Sequence, residues 1–212
     1  MKPTIDYTLY LVTDRALMST PTLAEAVNAA CAGGVTLVQL REKHVTDDEY
    51  VAIAREVKAI CDKHGVPLII NDNPNVAVAV DAAGVHVGQE DLEASRVRDI
   101  VGPDAIVGVS AASVAEARAA QAAGADYLGV GAIVATATKP EAGIVTRDEL
   151  AAIIDAVDIP VVAIGGVNAQ TIPTLAGLGL AGYSVVSAII AADDIEASAA
   201  ELHKVIAEGE GR

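Results

Sequence analysis

The chain has 212 residues, 52% hydrophobic and 20% charged, which supplies one continuous core and excludes wholesale disorder; a single barrel-sized domain accounts for the length. Its formal net charge of -15, from 29 acidic against 14 basic residues, repels nucleic acid and anionic membrane, so any phosphate ligand must be met by local cations, backbone N–H groups or a metal. With 2% aromatic residues and neither Phe nor Trp, the composition poorly suits a base-stacking or sugar-stacking surface.

Short apolar runs alternate with amphipathic stretches from end to end. The first strand is expected over 8–13 and the first helix over 23–32. Then come strand 36–40 and helix 47–64, strand 67–70 and helix 74–81, strand 84–87 and helix 95–101, and strand 105–109 and helix 114–123. Strand 127–130 and helix 147–157, strand 161–164 and helix 169–178, and strand 183–186 and helix 195–208 complete the series. Helix starts carry capping signals: Thr46 precedes an acidic turn, Ser113 has Glu116 three residues on, and Thr146 has Glu149. Eight strands in strict alternation with eight helices favour a closed (β/α)8 TIM barrel in one domain, 1–212, over a doubly wound open sheet.

Cys31 and Cys61 lie in helical patterns without a CxxC spacing, so they read as two buried thiols in a reducing compartment rather than a metal or redox pair. The N-terminus has no secretory pattern, and a cytoplasmic location is expected. The uncharged stretch 159–192 is interrupted by Pro160, Asn168, Pro173 and five glycines, which divide it into strand, loop, helix and strand rather than a membrane span. Homo-oligomerisation is left open.

In such a barrel the chemistry belongs at the C-terminal strand ends and the loops after them. Gln39-Leu-Arg-Glu-Lys43 follows strand two, and there Gln39, Arg41 and Lys43 alternate onto one face, aiming two cations at one place. A solvated charge pair with Glu42 is the plainer alternative. Asn71-Asp72 follows strand three and Gly88-Gln-Glu-Asp91 strand four, so Asp72 and Asp91 can converge on one hard divalent cation, with Mg2+ the natural candidate. Taken alone, Asn-Asp-Asn-Pro would be read as a turn.

Ser110 follows strand five, Thr136-Ala-Thr-Lys139 strand six, Gly165-Gly166 strand seven and Ser187 strand eight. The glycines allow close backbone approach to an anion, and helices expected from near Asn168 and Asp193 would present free N–H groups. His86 reads first as a packed core histidine. The GxGxxG over 177–182 precedes a strand instead of following one, so it reads as a helix-to-strand turn and not a dinucleotide site.

Taken together, Gln39-Leu-Arg-Glu-Lys43, Asn71-Asp72, His86-Val-Gly-Gln-Glu-Asp91, Gly108-Val-Ser110, Thr136-Ala-Thr-Lys139, Ala163-Ile-Gly-Gly166 and Val185-Val-Ser-Ala-Ile189 resemble the thiamine-phosphate synthase family over nearly the whole chain. The resemblance implies a Mg2+-dependent transferase that joins an aminopyrimidine diphosphate to a thiazole phosphate with loss of pyrophosphate. It implies that Gln39, Leu40, Arg41, Glu42, Lys43, Asn71, Ser110 and Lys139 bind the pyrimidine diphosphate, with Arg41, Lys43 and Lys139 assisting its departure. Thr136, Ala137, Thr138, Gly165, Gly166, Val186 and Ser187 would hold the thiazole phosphate, and Asp72 and Asp91 the metal.

Two departures stand out. Relatives commonly carry prolines and an aromatic residue where this chain reads Gly131-Ala-Ile-Val-Ala-Thr136, and often a histidine where it reads Ala111-Ala112-Ser113. A thiazole tautomerase of the same barrel family needs that histidine for proton transfer, and Ala112 cannot supply it. The other alternative, a non-catalytic sensor of a phosphorylated precursor, has no evident need of the cationic clamp.

Overall fold

The computed structural model describes residues 1–134 and 143–210. Eight parallel strands close in sequence order: β1 (Leu9–Val12), β2 (Leu37–Leu40), β3 (Leu68–Asn71), β4 (Gly84–Val87), β5 (Ile106–Ala111), β6 (Tyr127–Val130), β7 (Val161–Ile164) and β8 (Gly182–Val185), with β8 pairing back onto β1. All eight expected strands occur. The surrounding helices are α1 (Leu23–Ala32), α2 (Asp47–His64), α3 (Pro74–Ala79), α4 (Ala94–Val101), α5 (Val114–Ala122), α6 (Arg147–Asp155), α7 (Ile172–Leu175), α8 (Ser187–Ile190) and α9 (Ile195–Gly209).

The strands divide two cores by their period of two. Odd positions of β1, such as Leu9 and Leu11, point outward with Leu40, Ile70 and Val107 and pack under the helices. Tyr10, Leu37, Ile69, Ile106, Tyr127 and Val162 point inward and fill the lumen. On β5 and β6 the inward positions Gly108 and Gly129 lack a side chain. A Cβ on Gly108 would lie 2.2 Å from Tyr127 Cζ and 2.5 Å from His86 Nδ1, and one on Gly129 would lie 3.1 Å from His86 Cε1. The missing side chains are what admit these two rings.

Helix starts follow the capping signals. Thr22, Thr46 and Thr146 each form a reciprocal box with Glu25, Glu49 and Glu149, and Ser113 accepts from the Glu116 N–H. The expected helix 169–178 shrinks to the four residues of α7. Asn168 folds the chain before it into a side-chain turn, its Oδ1 accepting from the N–H groups of Gln170 and Thr171, and Gly177 and Gly179 adopt positive φ after it. The short α8 was not expected, and the last helix begins at Ile195, capped by Asp194. The helix expected near Asp193 is thus present, whereas the one expected near Asn168 starts only at Ile172.

Cys31 and Cys61 are free and buried, as expected. Among the described residues, no helix is long and apolar enough to cross a membrane.

Candidate active site

The end of β2 sends successive side chains to different destinations. Gln39 stays in the lumen, 3% exposed, with its Nε2 donating to the Tyr10 hydroxyl at 2.6 Å. Leu40 points outward into the helix-covered core, and its carbonyl accepts from the Tyr50 hydroxyl at 2.7 Å. Arg41 returns to the mouth, where its N–H donates to Thr13 Oγ1 at 3.0 Å and its Nη1 lies 3.2 Å from Asp14 Oδ2. Glu42 is buried and receives Arg15, with contacts of 3.0 to 3.2 Å to its carboxylate. Lys43 reaches the next strand end, its Nζ 2.9 Å from Asp72 Oδ2. Arg41 and Lys43 thus share the mouth, whereas Glu42 serves as the anchor of Arg15.

Asn71 ends β3, buried. Asp72 follows with φ of 63°, a left-handed conformation that Asp tolerates better than most residues, and its N–H donates to the His86 carbonyl at 2.8 Å. Asp91 folds back over the β4 loop, its Oδ2 accepting from the Gly88 N–H at 2.8 Å, and its carboxyl is near enough to that of Asp72 for the two to shift each other's titration. Partial burial opposes charge on Asp72, but Lys43 and the neighbouring Asp91 outweigh it and hold this carboxyl below its ordinary value. Asp91 is pushed up, first by partial burial and then by the neighbouring Asp72 charge, against the pull of the Gly88 N–H.

Ser110 lies at the β5 end with its Oγ 3.0 Å from His86 Nε2, and its carbonyl accepts from the Gln89 amide. His86 Nδ1 lies 2.9 Å from the Tyr127 hydroxyl. His86 is therefore buried as expected, but within a polar layer beneath the mouth. Thr136, Ala137, Thr138 and Lys139 lie outside the described residues.

After β7, Gly165 and Gly166 have φ of 85° and 73°. Their open faces are taken by the segment after β6: a Cβ on Gly165 would lie 2.7 Å from Ala132 Cα, and one on Gly166 would lie 2.6 Å from Val134 Cβ. Val134 N–H donates to the Gly165 carbonyl at 3.1 Å. These glycines thus bind two loops together. Val186 is half-buried and Ser187, the first residue of α8, is exposed on the adjoining strand end.

Three cations at the mouth, Arg15, Arg41 and Lys43, face four carboxylates, Asp14, Glu42, Asp72 and Asp91. Among these described groups the balance is not positive. Two adjacent carboxylates without soft ligands fit Mg2+, which binds through one or two carboxylates together with substrate phosphate oxygens. Among the described residues no group of three or more His, Cys, Asp or Glu side chains is poised for a metal.

A family model described as thiamine monophosphate synthase matches residues 9–189. This chain belongs to that family. It is 54% identical over 202 residues to the thiamine-phosphate synthase of Clostridium beijerinckii, covering 95% of this chain and 97% of that one. It is 55% identical over 205 residues to the thiamine-phosphate synthase of Ruminiclostridium cellulolyticum, covering 97% and 98%. The solved thiamine phosphate pyrophosphorylase from Pyrococcus furiosus superposes with a TM-score of 0.89 at 34% identity, over 96% of this chain and 97% of that one.

Against that membership, four residues of the mouth and its floor escaped sequence reasoning: Asp14, Arg15, Tyr10 and Tyr127. Asp14 and Arg15 directly follow the first strand, where a rim reading should have included them. The tyrosines left a fainter signal. In a chain with five Tyr and no Phe or Trp, every aromatic ring brings a hydroxyl, and inward strand positions must satisfy it.

Proposed function

We propose that this chain, a transferase of the thiamine-phosphate synthase type, joins 4-amino-2-methyl-5-(diphosphooxymethyl)pyrimidine to a thiazole or carboxythiazole phosphate, releasing thiamine phosphate and pyrophosphate, together with carbon dioxide when the carboxythiazole form is used. The observation that carries this reading is the meeting of Arg41, Lys43, Asp72 and Asp91 at one barrel mouth, in a chain with synthase relatives above 50% identity along nearly its full length.

In this reading Arg41 and Lys43, with Lys139, receive the charge that develops on the departing diphosphate. Lys43 would exchange Asp72 for a diphosphate oxygen, a short movement from its observed 2.9 Å pairing. Mg2+ held by Asp72 and Asp91 would neutralise diphosphate charge. Asn71, Gln39 and Ser110 orient the pyrimidine. Thr136, Ala137, Thr138, Gly165, Gly166, Val186 and Ser187 hold the thiazole phosphate. The carbon–oxygen bond to pyrophosphate breaks first, a pyrimidine methyl cation forms, and the thiazole nitrogen attacks it with its lone pair. No general base is needed to start the reaction, which agrees with a mouth built of ion pairs. The free, buried Cys31 and Cys61 fit a reducing, cytoplasmic setting.

The test mixes the purified protein with both phosphorylated precursors and Mg2+ and follows thiamine phosphate and pyrophosphate. Stoichiometric appearance of both is expected, with loss of turnover in EDTA and a fall of roughly 100-fold or more in Lys139→Ala. Binding of either precursor without turnover overturns the reading in favour of a sensor.

A further inference from the structure

Gln39 and Ser110 stand on β2 and β5, yet a single chain of hydrogen bonds through the lumen connects them. Gln39 Nε2 meets the Tyr10 hydroxyl at 2.6 Å, Tyr10 meets the Tyr127 hydroxyl at 2.8 Å, Tyr127 meets His86 Nδ1 at 2.9 Å, and His86 Nε2 meets Ser110 Oγ at 3.0 Å. Tyr10 and Tyr127 are at most 1% exposed, so each hydroxyl hydrogen must find an acceptor within this layer.

That requirement orients the whole series. The Tyr10 oxygen already accepts from an amide N–H, which has no lone pair to offer in return. The Tyr10 hydrogen therefore goes to the Tyr127 oxygen. The Tyr127 hydrogen then goes to His86 Nδ1, which must be an acceptor. A neutral imidazole with an acceptor at Nδ1 carries its proton on Nε2, and that proton is donated to Ser110 Oγ. Ser110 accordingly keeps its own hydrogen to donate toward the mouth. At the other end, Gln39 has committed an N–H to Tyr10 and keeps Oε1 as an acceptor.

We infer that Tyr10, Tyr127 and His86 form a proton-ordered relay that fixes Gln39 as an acceptor and Ser110 as a donor, selecting a ring edge with an amino group beside a lone-pair nitrogen over its oxo counterpart. An oxo ring presents a carbonyl and a ring N–H at the same positions, which inverts both partners. The relay residues are positioning residues, because each acts through Gln39 or Ser110. The inference deepens the proposed function by naming what would enforce amino-pyrimidine specificity, and it rests on that reading for the identity of the ring. The orientation of the protons does not.

Two measurements test it. The first reads the His86 ring nitrogens by 15N NMR in the substrate-free protein. A neutral ring protonated at Nε2 is expected; a proton on Nδ1 overturns the relay. The second compares kcat/KM for the amino-pyrimidine diphosphate with that of its oxo analogue in wild type, Tyr127→Phe and His86→Gln. Tyr127→Phe removes the hydrogen that orients His86, so the preference is expected to fall about tenfold. The change should lie in KM for the pyrimidine partner, with KM for the thiazole phosphate unmoved. His86→Gln keeps an amide N–H close to the Nε2 position and is expected to retain most of the preference. A folded Tyr127→Phe with undiminished preference overturns the relay. If wild type turns over neither pyrimidine, the proposed function fails, and the relay is then decided by the tautomer alone.

Discussion

Gly108 carries more of the site than its missing side chain would indicate. A methyl group there would collide with both Tyr127 and His86, two buried rings that cannot both withdraw from a close-packed lumen. Gly108→Ala is expected to cost about 1–3 kcal/mol by overpacking, read as a lower urea midpoint with an unchanged slope. At the Asp72–Asp91 pair the two carboxyls are shifted in opposite senses. The depressed value of Asp72 contributes stability that is present above the ordinary carboxylate range and lost as pH falls through the folded value. The raised value of Asp91 contributes stability that is complete at low pH and lost as pH rises through its folded value. Asp91→Asn removes that second loss while keeping an oxygen for Gly88 and adding a donor for Asp72. A higher Tm than wild type at pH 7 is expected, with the gain vanishing toward pH 4 and the Mg2+ response of turnover abolished. A lower Tm at pH 7 would show that Asp91 is not strained by its neighbour.

At the scale of elements, α2 shows how far local chemistry sets a boundary. Thr46 accepts from the Glu49 N–H while the Glu49 carboxylate returns to the Thr46 N–H and hydroxyl, at 2.8 Å each. Those bonds hold the Glu49 carboxyl below its ordinary value, so the box is intact above the normal glutamate range and weakens as pH falls through the lowered value. Thr46→Ala is expected to lower stability by about 1 kcal/mol, measured by chemical denaturation at pH 7, with a smaller penalty in acid. Because such signals lie within four residues, the limits of α1 and α2 could be read from sequence alone. The region around α7 could not. There Asn168 and Thr171 satisfy backbone groups with their own side chains, and propensity carries no record of which choice the chain makes.

Across the whole molecule, the eightfold alternation was legible because a buried parallel strand and its covering helix differ in hydrophobic period. The rim positions of Arg41, Lys43, Asp72, Asp91 and Ser110 followed from it. What could not be read was long-range: that Arg15 would claim Glu42, and that Gln39 and Ser110 would be linked through Tyr10, Tyr127 and His86. Each of these depends on strands brought together from 24 or more residues away.

The placement of the lumen glycines has a consequence of its own. Gly84, Gly108, Gly129 and Gly182 occupy inward positions on β4, β5, β6 and β8, whereas β1, β2, β3 and β7 carry no glycine and direct Tyr10, Leu37, Ile69 and Val162 inward. A fold that repeats one unit eight times around an axis therefore encloses an interior with a front and a back. A planar guest lowered into this well meets different walls when turned over, so the scaffold's outward symmetry imposes no ambiguity on which way the guest faces.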